Sequence, residues 1–219
     1  MELTYTPVII LAAGKSSRMG QPKGLLKYHG QLWIEQQFNW IKANGFKRII
    51  LVLGYHNESF LQQIPWLNQS LNSWYIHENL EVKTLINKAP ERGSFSSLQE
   101  AISPVLALNQ STGAFLLPID VPCPSKKTWL QLCPKTSTSK PMANIPIFEN
   151  KGGHPVYLNN LFLKKLSLIP TESEDARLDY QIDKLESQTR IHIDDNNILF
   201  NLNDKKAWED FLKLTQPQR

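Results

Sequence analysis

The sequence predicts an α/β fold built on a mostly parallel sheet, and three short apolar runs support that prediction. The runs are residues 8–11, 48–53 and 114–119. Each is rich in aliphatic residues and almost free of polar ones, which is typical of strands that are buried on both faces of a parallel sheet. A helical pattern between the first two runs completes the α/β assignment.

The segment between the first two strands predicts an amphipathic helix. Ile34, Phe38 and Ile41 fall at positions i, i+4 and i+7, which places them on one helical face. Gly45 follows, and glycine is common where a helix ends because it adopts a left-handed conformation at low cost. The strand–helix–strand order predicts a right-handed βαβ unit.

The rest of the chain continues the alternation of helices and strands. Residues 96–108 predict a helix that Pro104 is expected to kink or end. Further elements are expected at 129–133 (helix), 143–148 (strand), 159–167 and 176–187 (helices), 190–193 (strand) and 205–214 (helix). Residues 62–85 are the part of the chain whose pattern is least readable. Because no repeat or low-complexity linker divides the chain, we expect residues 1–219 to form one domain.

Composition excludes several classes of protein. The chain carries a net charge of +4, but its Lys and Arg residues are dispersed among acidic ones, so we expect no basic face for nucleic acid. No apolar run approaches the ~20 residues that span a bilayer. Cys123 and Cys133 belong to no C-x-x-C pair, which argues against a disulfide scaffold or a zinc site. We therefore expect a cytoplasmic protein without a membrane partner, either a monomer or a small homo-oligomer.

A loop rich in Gly, Ser and Lys follows the first strand and is expected to bind an anion. Small residues at 12–14 let the backbone approach a ligand closely, and successive backbone N–H groups in such a turn form an anion-binding concavity. Arg18 and Lys23 add the positive charge that a triphosphate requires. The loop matches neither the P-loop nor the dinucleotide fingerprint. An ordinary loop with surface cations is the alternative interpretation.

Asp120 follows the third strand and is the best candidate for a metal ligand. Ligands of open α/β sheets bind where the parallel strands end. Mg²⁺ prefers one or two carboxylates together with water and phosphate oxygens. Taken alone, Asp120 is at least as consistent with an aspartate in a turn, where this residue is common.

Five segments resemble, in the same order, the motifs of the MobA-like nucleotidyltransferases, a family that includes molybdenum cofactor cytidylyltransferases. Residues 11–23 resemble L-A-[AG]-G-x-S-x-R-M-G-x-x-K, 92–98 resemble G-M-x-x-S-L, 120–122 resemble D-x-P, 153–156 resemble G-H-P-V, and 194–203 resemble the closing D-D-P-G-I-L and N-I-N region. The resemblance spans nearly the whole chain. It implies a three-layer α/β/α, Rossmann-like (GT-A-like) fold with a mixed, mostly parallel sheet, and Mg²⁺-dependent nucleotidyl transfer.

The resemblance also implies roles for individual residues. Asp120 would hold Mg²⁺ between the α- and β-phosphates, with Asn201 as the second ligand unless the match shifts to Asn203. Arg18 and Lys23 would act with Asp120 in catalysis by stabilising charge on the α-phosphate and the leaving pyrophosphate. The nucleotide-binding residues would be Leu11, Ala12, Ala13, Gly14, Lys15, Ser16, Ser17, Arg18, Lys23, Gly93 and Ser97.

Several of these residues have structural alternatives. Gly93 would permit close approach of the nucleotide and Ser97 would line the base and ribose pocket, although a serine here also suits helix capping. Gly153 and His154 would face the acceptor, and a purely structural histidine is the alternative. Asn203 also suits the start of the last helix.

The resemblance defines the substrates less narrowly than it defines the roles of the site residues. Sequences with a second glycine at position 13 resemble guanylyltransferases, whereas Ala-Ala-Gly sequences resemble cytidylyltransferases, so Ala13 favours CTP over GTP. The acceptor would be a phosphorylated small molecule: molybdopterin, a sugar phosphate or a polyol phosphate. A nucleotide-binding module without catalysis is a second interpretation. A glycosyltransferase would need a D-x-D motif, which residues 120–122 do not supply.

The chain departs from the family pattern in two places. Ile119, preceded by Pro118, stands where the family often has glycine before its aspartate. Residues 204–207, Asp-Lys-Lys-Ala, replace the family's Thr-Pro-Glu-Asp. Both departures concern the metal and the acceptor more than the fold.

Overall fold

The computed structural model describes residues 3–134 and 141–216. Its strands are β1 Val8–Ala12, β2 Lys27–Tyr28, β3 Gln31–Leu32, β4 Arg48–Leu53, β5 Tyr75–His77, β6 Leu80–Ile86, β7 Gly113–Pro118, β8 Ala143–Phe148, β9 Lys151–Gly152, β10 Val156–Asn159 and β11 Gln188–His192. Its helices are α1 Trp33–Ala43, α2 Asn57–Gln63, α3 Ser94–Leu106, α4 Lys126–Leu132, α5 Asn160–Leu166, α6 Leu178–Asp183 and α7 Lys205–Leu214.

In the described part of the chain, nine strands form one mixed sheet in the order β11-β8-β10-β7-β1-β4-β6-β5, with β9 paired to β8. The central strands β7, β1, β4 and β6 are parallel, and β11 is parallel to β8. Strands β5, β9 and β10 run antiparallel to their neighbours. The parallel centre places the carboxyl ends of β1, β4, β6 and β7 at one edge of the sheet, where the candidate site lies.

Helices cover both faces of the sheet because successive side chains of a strand point to opposite faces. Val8 and Ile10 of β1 belong to one buried cluster, which α1, α2, α4 and α7 complete. Ile9 belongs to the other cluster, which α3, α5 and α6 complete. This arrangement confirms the predicted three-layer α/β/α fold with a mixed, mostly parallel sheet.

Most predicted elements are confirmed, with shifted ends. The third predicted strand ends at Pro118, so Asp120 lies two residues beyond it. Helix α3 runs through Pro104 and ends at Leu106. The prediction of a helix at 176–187 was too long, because α6 covers Leu178–Asp183 and β11 already begins at Gln188.

The sequence-based prediction missed α2, β5, β6 and β10, together with the two-residue strands β2, β3 and β9. Strand β6 lies beside β4 in the parallel centre but alternates buried and half-buried residues. Its Glu81 accepts a hydrogen bond from Arg48 Nε at 2.7 Å, so the strand carries charged side chains and lacks a continuous apolar run. Within the described residues, no helix is long and apolar enough to cross a membrane.

Candidate active site

The loop that follows β1 is anchored at its centre, and its cation Arg18 is exposed. Met19 is buried in the core, and its N–H donates to the Ser16 carbonyl at 2.9 Å. Ser16 Oγ accepts the Lys23 N–H at 3.3 Å, which closes the loop. Arg18 is exposed and makes no ion pair or hydrogen bond within the described part of the chain. Its guanidinium is therefore free to bind an anion.

The Lys23 ammonium joins two oxygen atoms from distant parts of the chain. Its Nζ donates to Asp120 Oδ2 at 2.8 Å and also to Asn203 Oδ1. The side chains of Lys23 and Asp120 are only 14% and 22% exposed. Gly24 permits this placement of the loop, because a Cβ there would lie 2.8 Å from the ring of Phe60. A carboxylate and an amide oxygen thus converge on one cationic position.

Two side chains of α1 hold the backbone on both sides of Asp120. Trp33 Nε1 donates to the Ile119 carbonyl at 2.6 Å. Gln37 Nε2 donates to the Val121 carbonyl at 2.7 Å, and Gln37 Oε1 accepts the Cys123 N–H at 2.8 Å. Because Trp33 and Gln37 are buried, these bonds are shielded from competition with water and fix the direction of the segment.

The closing segment of the chain reaches the site through the Asp120 backbone. The Leu202 N–H donates to the Asp120 carbonyl at 2.9 Å, which places Asn203 beside Lys23. Asn201 is exposed and does not line the cavity described below. Of the two asparagines that the sequence offered as the second metal ligand, the geometry therefore brings Asn203, not Asn201, to Asp120.

A cavity of about 390 Å³ opens between the loop, the end of β7 and the start of α3. Residues from all the nucleotide-related motifs line it: Leu11, Ala12, Ala13, Gly14, Lys15, Ser16, Ser17, Arg18, Lys23, Gly93, Ser97 and Asp120. Tyr55, Pro90, Ser94 and Asn203 line it as well. The structure thus brings the predicted nucleotide-binding residues together around one space, and adds residues that the sequence did not indicate.

The start of α3 forms the wall of this cavity opposite the loop. Gly93 has a φ of +87°, which favours glycine, and a Cβ there would meet open space. Gly93 is the N-cap of α3, and no side chain of the described residues caps the helix, so the serine cap that the sequence left open as an alternative is not formed. Ser97 is buried and accepts a hydrogen bond from Asn87 Nδ2 at 2.9 Å.

A second cavity of about 540 Å³ adjoins the first, since Leu11, Gly93, Ser94 and Pro118 line both. It contains Gly153 and His154, the residues that the resemblance assigned to the acceptor. Its other lining residues are mainly the apolar Phe95, Leu116, Ile145, Val156, Leu178 and Ile182, together with Arg92, Arg177, Arg190, Asp179 and Asp183.

His154 is held by its backbone and has one free polar atom. Its N–H donates to the Ile198 carbonyl at 2.9 Å, and Gly153 permits this approach because a Cβ there would lie 2.3 Å from the same carbonyl oxygen. Burial lowers the pKa of His154 below its usual value, although the charge of Asp120 opposes this effect. Its Nδ1 is buried and has no hydrogen-bond partner among the described residues, so a neutral ring offers one polar atom here.

The donor set at Asp120 suits a hard cation. Asp120 Oδ2 and Asn203 Oδ1 both accept from one ammonium group, and oxygen ligands of this kind are those that Mg²⁺ prefers, completed by water and phosphate. Within residues 3–134 and 141–216, no three His, Cys, Asp or Glu side chains cluster closely enough to hold a metal ion by themselves. A metal held by Asp120 and Asn203 would complete its coordination with oxygen atoms of water or of a phosphate.

Sequence reasoning missed Asn87 and Tyr55. Asn87 follows β6, which the sequence did not reveal, and only the pairing of β6 with β4 brings it to α3. Tyr55 follows β4, and its N–H donates to the Ala13 carbonyl at 3.3 Å. A polar or aromatic residue within two positions of the end of a predicted parallel strand is the signal that could have indicated Tyr55, and the same signal could not indicate Asn87 while β6 was unrecognised.

Several solved structures share this fold. Rv0371c from Mycobacterium tuberculosis H37Rv matches with a TM-score of 0.72 at 18% identity, over 96% of this chain and 99% of that chain. The Rv0371C complex with manganese gives a TM-score of 0.67 at 16% identity, over 96% and 98%. HddC from Yersinia pseudotuberculosis complexed with GMP-PN gives 0.66 at 15% identity, over 96% and 100%.

Comparison of the sequence itself is more specific. No curated protein sequence matches the chain. The profile of the MobA-like NTP transferase domain, however, matches residues 8–186, which is most of the chain. The chain therefore belongs to the MobA-like NTP transferase family and is a nucleotidyltransferase.

Proposed function

We propose that this nucleotidyltransferase transfers a nucleoside monophosphate, preferably CMP from CTP, to a phosphorylated small molecule and releases pyrophosphate. The observation that best supports the proposal is the convergence of Lys23, Asp120 and Asn203 beside the loop, in a cavity that adjoins a second one. Two substrates that react with each other need two adjoining spaces, and only the first of these is lined by the loop cations.

The triphosphate belongs in the first cavity. Arg18 is free to form a forked contact with phosphate oxygens, and Lys23 supplies a point charge. Asp120 and Asn203 would hold Mg²⁺, which would neutralise charge on the phosphates and the leaving pyrophosphate. A divalent metal agrees with the manganese complex of the structural neighbour Rv0371C. In this arrangement Lys23 turns from Asp120 and Asn203 toward the phosphates.

The acceptor belongs in the second cavity, with its phosphate near Gly93 and Ser94. The uncapped start of α3 favours an anion there, because the first backbone N–H groups of a helix lack partners inside the helix. An oxygen of the acceptor phosphate attacks the α-phosphorus, and the bond to the β-phosphate breaks in line. A phosphate is already ionised near neutral pH, so the step needs positioning and charge neutralisation more than a general base.

The preference for CTP rests on the alanine at position 13. Ala13 lines the first cavity and is buried, and its methyl group packs against Gly54, where a Cβ would lie 2.8 Å from it. GTP is the main competitor, since HddC, which shares the fold, carries GMP-PN. A direct competition between CTP and GTP tests the preference, and a GTP reaction that outpaces the CTP reaction would reject it.

A pyrophosphate-release screen tests the proposal as a whole. It crosses the common ribonucleoside triphosphates with molybdopterin, sugar phosphates and polyol phosphates, with and without Mg²⁺. We expect Mg²⁺-dependent pyrophosphate release with at least one acceptor, and a rate lower by about 10²-fold or more with Asp120→Asn. Nucleotide-dependent thermal stabilisation without pyrophosphate release from any acceptor would instead support a binding module.

A further inference from the structure

Asn87 follows β6 and contacts two serines of α3. It is 3% exposed, and its backbone N–H donates to the Leu53 carbonyl at 2.8 Å, which continues the pairing with β4. Its Nδ2 donates to Ser96 Oγ at 2.8 Å and to Ser97 Oγ at 2.9 Å. A side-chain amide nitrogen carries two hydrogens, so both are used.

A third contact determines which way the Asn87 amide faces. Its Oδ1 accepts the Ala89 N–H at 2.9 Å. If the amide were rotated by half a turn, its NH₂ group would face the Ala89 N–H, and two donors would oppose each other. The nitrogen of Asn87 therefore faces the serines, and both serine oxygens act as acceptors in these bonds.

The two serines differ in where their own protons go. The single proton of Ser96 Oγ is shared between the carbonyl oxygens of Gly93 at 2.8 Å and Ala89 at 3.2 Å, and Ser96 does not line the nucleotide cavity. Ser97 lines the cavity and is 2% exposed. The Ser97 hydroxyl donates no hydrogen bond to any residue in the described part of the chain. The hydroxyl of Ser97 is thus left with a proton to donate into the cavity.

We propose that Asn87 is a positioning residue that makes Ser97 a hydrogen-bond donor to the nucleoside. The inference rests on the proposed function, because it requires a nucleotide in the first cavity. The ligand atom opposite Ser97 is a neutral oxygen acceptor, either a carbonyl oxygen of the base or a hydroxyl oxygen of the ribose. A ligand that presents an N–H group at this point is disfavoured, because Ser97 Oγ could accept it only by turning its own proton toward a side where it donates to no described residue.

A double-mutant cycle of the full-length chain tests whether the effect of Asn87 on nucleotide binding depends on Ser97. CTP affinity is measured by calorimetry with Mg²⁺ for the wild type, Asn87→Ala, Ser97→Ala and the double variant. We expect Ser97→Ala to weaken binding by about threefold to tenfold, the value of one hydrogen bond. Asn87→Ala should weaken binding to a similar extent, and the double variant should match Ser97→Ala within about twofold.

Ser96→Ala is the matched control, because Ser96 shares the Asn87 amide but does not line the cavity. It should bind CTP within about twofold of the wild type. If the double variant loses the product of the two single losses, Asn87 acts on the cavity independently of Ser97 and the inference is wrong. The inference is equally wrong if Ser96→Ala weakens binding as much as Ser97→Ala.

Analogues of CTP identify the nucleotide atom that accepts the hydrogen bond from Ser97. This second test does not require Asn87→Ala to fold. The wild type and Ser97→Ala are compared with CTP, 2-thio-CTP and 2′-deoxy-CTP. If Ser97 donates to the base carbonyl, the wild type discriminates against 2-thio-CTP and Ser97→Ala does not. If it donates to the ribose, the same loss of discrimination is seen with 2′-deoxy-CTP. Unchanged discrimination against both analogues would overturn the inference.

Failure of the inference can be distinguished from failure of the proposed function. A wild-type chain that binds no nucleoside triphosphate with Mg²⁺ contradicts the proposed function, and the inference fails with it. If the wild type binds a triphosphate other than CTP, the same cycle is run with that triphosphate. A cycle with independent losses in a chain that binds and turns over nucleotide contradicts only the role of Asn87.

Discussion

Lys23 Nζ lies 2.8 Å from Asp120 Oδ2, although 97 positions separate the two residues in the chain. The same ammonium group contacts Asn203 Oδ1. A lysine proposed to bind phosphate therefore occupies the point where the proposed metal ligands converge. Lys23 and a metal ion compete for these two oxygens until phosphate draws the lysine away.

Replacing Lys23 with methionine should separate these two roles. Metal binding without nucleotide should tighten by roughly twofold to fivefold, because a partly shielded ion pair of modest strength no longer competes. Turnover should fall about 10²-fold or more, because a charge on the transferring phosphate is lost. Mn²⁺ binding followed by electron paramagnetic resonance measures the first effect, and pyrophosphate release measures the second.

Lys27→Met is the control for Lys23→Met, since Lys27 is exposed and lies on β2 outside the cavity. It should change neither measurement. Unchanged turnover in Lys23→Met would contradict the catalytic assignment.

Replacing Asp120 with asparagine keeps the shape of the side chain and removes its charge. We expect turnover to fall by about 10²- to 10³-fold, with the metal requirement shifted to higher concentration. The measurement is the initial rate of pyrophosphate release over a Mg²⁺ titration. If the rate stays within about threefold of the wild type, the reaction barrier has changed by less than the amount that corresponds to a tenfold change in rate. Such a result would show that Asp120 is not a metal ligand.

Gln37→Leu should destabilise the segment that carries Asp120. Gln37 is fully buried, and the substitution leaves the Val121 carbonyl and the Cys123 N–H without partners. We expect the free energy of unfolding to fall by about 1–3 kcal/mol, measured by urea denaturation. The apparent Mg²⁺ affinity should fall as well, because the same bonds direct Asp120.

The neighbouring Gln36 offers a matched control for Gln37→Leu, since it lies on α1, is only half-buried and makes no side-chain hydrogen bond within the described residues. Gln36→Leu should leave the unfolding free energy within about 0.5 kcal/mol of the wild type. If both variants lose the same amount of unfolding free energy, the cause is the introduction of leucine into α1 and not the loss of the Gln37 bonds to the Asp120 segment.

Gly54→Ala should disturb the nucleotide loop through Ala13. A Cβ at Gly54 would lie 2.7 Å from the Ala13 carbonyl oxygen, so the backbone of the loop must shift. We expect a loss of about 1–3 kcal/mol in unfolding free energy and a higher KM for CTP. Gly152→Ala is the control, because its Cβ would make an ordinary contact at 3.6 Å. If both variants have the same KM for CTP, the packing of Ala13 against Gly54 does not shape the nucleotide cavity.

His154 should make stability depend on pH below neutrality. Its pKa is lowered by burial from the usual 6.5, so below that pH the unfolded chain takes up a proton that the folded chain refuses. Stability should therefore fall as the pH drops below about 6.5 and continue to fall down to the folded-state pKa. Urea unfolding near pH 5.5 and pH 7.5, each about one unit from the ordinary histidine pKa of 6.5, measures the difference in unfolding free energy between the two pH values. His154→Asn should show a smaller difference, and an equal one would contradict the prediction.

The sequence by itself determined three of the four central parallel strands and the loop that follows the first of them. Strands β1, β4 and β7 were readable because a strand covered on both faces must be apolar throughout, and the loop after β1 was readable because its chemistry lies in consecutive residues. Strand β6 was not readable, because the charged Glu81 and Lys83 alternate with its buried residues.

Only the tertiary structure decided which residues meet at the site. Asn203 and not Asn201 reaches Lys23, 180 positions away, because the Leu202 N–H pairs with the Asp120 carbonyl. Asn87 reaches Ser97 because β6 pairs with β4, a strand from an earlier part of the chain, as well as with the preceding strand β5. Local sequence constrains the secondary structure of a segment, but strand order and long-range hydrogen bonds select which side chain at the end of a strand faces the ligand.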